Sequence, residues 1–86
     1  MFQLIYNTRH ICGELIYLAD YRFKSREDLK LHPYIKPLKM ECRKCLLETD
    51  ATYFEVWESE DLGMRKIVEV TPIDRLNDVC RKLTNL

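Results

Sequence analysis

The chain has 86 residues, 47% of them hydrophobic, and its 14 basic side chains balance 14 acidic ones. That length suits a single compact domain over residues 1–86, and the absence of low-complexity tracts argues against a disordered tail. No apolar run approaches the roughly 18 residues that cross a bilayer, and no basic leader with a cleavage site is recognisable, so a reducing, cytoplasmic setting without a membrane partner is expected.

From the N-terminus, "FQLIYN" and "GELIYLADYRF" are two apolar, aromatic runs that read as a strand pair. A helix competes for the second run, because Ile11, Cys12, Leu15, Ile16 and Ala19 also form a helical stripe with Thr8 as cap. Gly13 inside the segment weighs against that helix, and the choice between strand and helix over 11–19 stays open. "KSREDLKLH" then predicts a short helix with Ser25 as N-cap and Asp28 three residues on, ended by Pro33. His32 falls in its last turn, where a cation complements the helix dipole.

Pro37 opens "PLKMECRKCLLETD", in which Leu38, Cys42, Cys45 and Leu46 fall at i, i+4, i+7 and i+8, the buried face of a second helix. "TYFEVWES" and "MRKIVEV" alternate on either side of "EDLG" and predict an antiparallel hairpin, with Tyr53, Glu55 and Trp57 on one side and Phe54 and Val56 on the other. Thr71 is a natural N-cap for a last helix, with Pro72 at its first position and Asp74 closing a capping box. Ile73, Leu76, Val79, Cys80 and Leu83 form its apolar stripe. The expected fold is α+β in the order β-β-α-α-β-β-α, an antiparallel sheet of about four strands with helices packed on one face.

Four cysteines occur, at 12, 42, 45 and 80. In a reducing compartment they read as free thiols or metal ligands rather than disulfides. His10, Cys12, Cys42 and Cys45 make up the donor set of a structural zinc site. Against that reading, zinc-binding Cys pairs usually sit in tight turns opened by Gly or Pro, and "ECRKC" has neither nearby. The helical stripe explains Cys42 and Cys45 as core thiols, so no cofactor is expected and zinc is the alternative. The decisive observation is tertiary: a metal requires residues 10–12 to lie against the N-terminal half of the helix beginning near Pro37, and fails if Cys12 packs with apolar neighbours and His10 faces water.

Thiol catalysis would need a pKa depressed by a neighbouring cation or helix N-terminus, and adjacent helical positions do not aim Arg43 and Lys44 at the thiols. His10 and His32 lack a nucleophile or carboxylate placed to complete a catalytic group, although a small ribonuclease of His, Lys, Arg and Tyr residues would leave no signature. An enzyme is therefore not expected.

Charge is segregated: residues 21–46 carry eight basic and three acidic side chains, and residues 47–63 carry six acidic and none basic. The basic stretch offers Arg22, Lys24, Lys36, Lys39, Arg43 and Lys44, interleaved with Tyr21, Phe23 and Tyr34, as a surface for nucleic acid. The acidic hairpin offers Tyr53 and Trp57 as aromatic anchors with Glu58, Glu60 and Asp61 as a rim, which suits a protein partner. Alternatively the two segments pair with each other. An uncovered strand edge would also allow a homodimer. The expectation is a small non-enzymatic accessory or regulatory protein that binds another protein, with nucleic-acid binding as the alternative.

Overall fold

A computed structural model describes residues 1–85. Strand β1 (Phe2–Arg9) is central, flanked by β2 (Leu15–Asp20) and β5 (Tyr53–Glu60), and β6 (Gly63–Pro72) completes a four-stranded antiparallel sheet in the order β2-β1-β5-β6. The segment left open between strand and helix is thus a strand, preceded by a tight turn in which Gly13 takes φ +91°, a conformation that costs glycine nothing.

Alternation decides which face is buried. Phe2, Leu4 and Tyr6 of β1 meet Phe54 and Val56 of β5 in one core, together with Leu29, Ile35, Leu76, Cys80 and Leu83. Each such side chain withdrawn from water contributes about 1.5–3 kcal/mol. The short helix α1 (Arg26–Lys30) begins as expected, with the Ser25 hydroxyl accepting from the Asp28 amide at 3.2 Å. The final helix α2 (Leu76–Thr84) lays the expected stripe on the core, with Leu76, Cys80 and Leu83 buried and Ile73 and Val79 packed beside them.

The start of the last helix differs from expectation. Thr71 belongs to β6 and donates its hydroxyl to the Glu69 carbonyl at 2.7 Å, so it does not cap. The chain instead passes through one 3-10 turn, Ile73–Arg75, whose first amide bonds the Thr52 carbonyl at 2.9 Å. Strand pairing as far as Pro72 outcompetes the local cap.

The larger correction lies between Pro37 and Asp50, where the expected second helix is absent. Two short strands, β3 (Met40–Glu41) and β4 (Glu48–Thr49), form a separate antiparallel pair around a tight turn carrying Cys42 and Cys45. Leu46, which the expected helix would bury, is exposed. The order is therefore β-β-α-β-β-β-β-α, with about half the helix anticipated. The α+β class and the main antiparallel sheet agree with the sequence reading.

Buried polar groups complete the frame. Asp20 accepts from the Tyr6 hydroxyl at 3.1 Å and from Arg22 Nη2 at 2.6 Å. Burial opposes its ionisation, but hydrogen bonds from the Arg22 side chain and amide, and the guanidinium charge, hold its carboxyl below the ordinary value. Glu55, nearly buried on the opposite sheet face, is met by Lys66 at 3.2 Å.

Candidate metal centre

Four side chains from two separate turns converge beside the end of the sheet. His10 and Cys12 come from the β1–β2 turn, and Cys42 and Cys45 from the β3–β4 turn. One donor atom from each lies within 4.8 Å of all the others. His10 is only 8% exposed, so its ring does not face water.

The distances test whether a metal fits. Zinc bonds of about 2.3 Å to sulfur and about 2.05 Å to nitrogen imply tetrahedral edges of about 3.8 Å between sulfurs and about 3.6 Å between sulfur and nitrogen. Cys12 Sγ lies 3.6 Å from Cys42 Sγ, and His10 Nδ1 lies 3.2 Å from Cys12 Sγ and 3.5 Å from Cys45 Sγ. His10 Nε2 is farther from Cys45, at 3.9 Å, so Nδ1 is the nitrogen turned into the cluster. All four cysteines are free thiols.

The local backbone explains how "ECRKC" makes the turn without Gly or Pro. Cys42 and Leu47 are tied by an amide-to-carbonyl bond of 3.0 Å, and the Leu46 amide donates to the Cys42 carbonyl at 2.7 Å. Leu46 takes φ +62°, the left-handed conformation for which glycine is favoured. This arrangement turns amides toward sulfur. The amides of Cys45 and Lys44 bond Cys42 and, with the Cys45 and Cys12 thiols, hold its pKa below the ordinary thiol value against the cost of burial. At Cys45 the Leu47 amide pulls the same way, but burial and the neighbouring Cys42 and Cys12 sulfurs win and raise its pKa. Three sulfurs and one imidazole nitrogen share one site, a donor set of the kind that structural zinc takes.

The absence of Gly and Pro therefore does not prevent a tight turn here, and the helix expected over Cys42 and Cys45 is overturned. The stripe through Leu38, Cys42, Cys45 and Leu46 is coincidental, and only the fold brings residues 10 and 12 to the pair. Cys80, which fits no ligand pattern, is buried on α2, where desolvation pushes its thiol up to about 11.

The other candidate residues are dispersed. Arg22 is bound to Asp20, and Lys39 pairs with Asp50 across the base of the β3–β4 turn, which forms a knuckle holding Cys42 and Cys45. Arg26 of the basic segment bonds Glu58 of the acidic hairpin at 3.2 Å, and Glu60 is bonded by Arg65 at 3.0 Å. The segregation seen along the chain is thus partly cancelled in space. Lys24 and Lys36 carry no ion pair among the described residues, nor do Arg43 and Lys44 between the two cysteines of the knuckle. Asp61 lies exposed in the β5–β6 turn. Tyr53 is exposed on the sheet face away from the helices, while Trp57 is half-buried with the Lys66 ammonium 5.4 Å from its ring centre.

A groove of about 600 Å³ that the sequence did not signal runs between β2 and the knuckle, lined by Glu14, Leu15, Ile16, Tyr17, Glu41, Arg43 and Lys44. Among the described residues, no helix is long and apolar enough to cross a membrane. No family model, curated protein or solved structure matches the chain.

Proposed function

We propose that the protein is a small zinc-stabilised, non-enzymatic module that acts by binding another macromolecule, a protein in preference to a nucleic acid. The observation that carries the zinc reading is the convergence of His10, Cys12, Cys42 and Cys45, with three donor separations of 3.2 to 3.6 Å near the edges of a tetrahedral site and the others within 4.8 Å. Four protein donors fill four coordination positions and leave none for substrate or reactive water, which is the mark of a structural rather than a catalytic centre. The ion would tie the β1–β2 turn to the β3–β4 turn.

The binding part of the reading rests on what surrounds that centre. The sheet face opposite the helices presents Leu15, Tyr17, Tyr53 and Met64, exposed by 46 to 59%. Aromatic and apolar side chains at one face, with mixed rather than uniform charge, suit a protein surface better than a polyanion.

The test begins with protein purified without chelator. One zinc per chain by native mass is expected, and cobalt substitution should give the absorption of a tetrahedral site with several thiolates. A bare-chain mass, with four thiols titrating freely in the folded protein, would overturn the metal. For the binding part, a host protein should co-purify with the native chain in stoichiometric amount and be lost with Cys42→Ser. Retention of nucleic acid in place of any protein would overturn that part.

A further inference from the structure

The geometry points to the outer edge of β2, where it faces the knuckle, as a docking slot for an extended segment of a partner polypeptide that joins the sheet as a fifth strand. This deepens the binding reading given above and rests on it.

The backbone of β2 carries the argument. The His10 amide bonds the Glu14 carbonyl at 2.8 Å, and from there the antiparallel register places Thr8 opposite Ile16, Tyr6 opposite Leu18 and Leu4 opposite Asp20. Hydrogen-bonded pairs alternate along such a ladder, so Ile16, Leu18 and Asp20 turn their amides and carbonyls toward β1. Leu15, Tyr17 and Ala19 turn theirs outward. Among the described residues those outward groups have no backbone partner beyond the sheet. A row of this kind is what an added strand pairs with.

The two sheet edges are not equivalent. Pairing between β5 and β6 slips twice, between Phe54 and Val56 and between Val56 and Trp57, so β6 carries extra residues that bend it, and Lys66 stands on it. Bulges and lysines blunt an edge. By contrast β2 pairs in unbroken register over its whole length.

The groove decides what kind of chain would fit. One wall is the β2 edge with exposed Leu15 and Tyr17, and the other is the knuckle with Arg43 and Lys44. Glu14 and Glu41 also line it, and none of these four charges is paired among the described residues. Two carboxylates in the slot repel a phosphodiester backbone, whereas a polypeptide can present an acid to Arg43 and Lys44 and a base to the glutamates. Zinc places the second wall, because Arg43 and Lys44 lie between two of its ligands. Loss of zinc should therefore loosen that wall and weaken docking.

The test uses the full zinc-loaded chain and short linear peptides selected against it from a displayed random library. Tyr17→Pro removes one outward amide without touching a ladder bond to β1, and Tyr17→Ala removes the same side chain but keeps the amide. Selected peptides should bind Tyr17→Pro about fivefold or more weakly than Tyr17→Ala. They should also bind more weakly to the R43E/K44E double variant and when zinc is chelated. Should Tyr17→Pro not fold, amide chemical-shift changes on peptide addition carry the test: changes centred on Leu15, Tyr17 and Ala19 support the slot, and changes confined elsewhere overturn it. Peptides indifferent to all of these variants, or a library that yields no binder, overturn the slot while a co-purifying protein still upholds the module. Tighter binding of a single-stranded oligonucleotide than of any selected peptide, at physiological salt and sensitive to R43E/K44E, overturns the polypeptide as its occupant.

Discussion

Replacing Leu46 by glycine should tighten zinc binding, although the residue is not a ligand. Leu46 follows the second knuckle cysteine at φ +62°, and the residue is 72% exposed. An L-residue in this conformation pays about 1–2 kcal/mol for the approach of its β-carbon to the backbone. Glycine removes that strain but brings about 0.5–1 kcal/mol of extra chain entropy to be lost on ordering. Little burial is forfeited, and the Leu46 amide bond to the Cys42 carbonyl is kept by any residue other than proline. The net gain is about 0.5–1 kcal/mol, and because knuckle folding is coupled to the metal it should read out as zinc affinity about two- to fivefold tighter. Competition against a chromophoric chelator measures this directly, with Leu46→Ala as the control that shortens the side chain but retains the β-carbon. Leu46→Ala should stay near the parent. A glycine variant that binds zinc no more tightly than the alanine variant would refute the strain argument, and with it the account of how this turn forms without glycine.

Removing zinc should unfold the knuckle locally rather than the whole chain, since none of the four ligands belongs to the main apolar cluster. Amide signals of residues 10–14 and 41–49 should collapse on chelation while those of Met40, Phe54, Val56 and Leu76 persist, and simultaneous loss of both sets would contradict this. Asp20→Asn should destabilise by about 2 kcal/mol in denaturant melts, reduced from the 3–5 of a fully buried pair because Arg22 is partly exposed. Asp20 has a lowered folded pKa, so its contribution is present above the unfolded carboxylate value of about 3.9 and lost as pH falls through the folded one. The variant should flatten the acid limb of stability in that range, and an unchanged acid limb would count against the network. Cys80, with its pKa raised to about 11, contributes stability that is full below the ordinary thiol value of 9.0 and fades as pH rises toward 11. It should resist alkylation at mildly alkaline pH until denaturant is added, and ready modification in the folded protein would show that the site opens.

Much of the architecture follows from residues close together in the chain. Period-two alternation in "TYFEVWES" places Phe54 and Val56 inside, the Ser25 cap starts α1, and the stripe from Ile73 to Leu83 seats α2 on the core, because each depends on local geometry and burial of one face. The charge reading was legible only as composition, since Arg26 and Glu58 are 32 positions apart and meet through packing.

The candidate metal site marks the boundary between the two kinds of information. Sequence supplies the donors, a histidine and three thiols, but a helical period and a tight turn are both compatible with Cys42-x-x-Cys45. Leu46 gives no warning that it will take the left-handed conformation, because its cost is met by contacts elsewhere. What decides between helix and knuckle is the arrival of His10 and Cys12 from a turn some 30 residues away, with Cys12 Sγ settling 3.6 Å from Cys42 Sγ. Convergence of this kind is a property of distances between separated segments, and one strand of local sequence contains none of them.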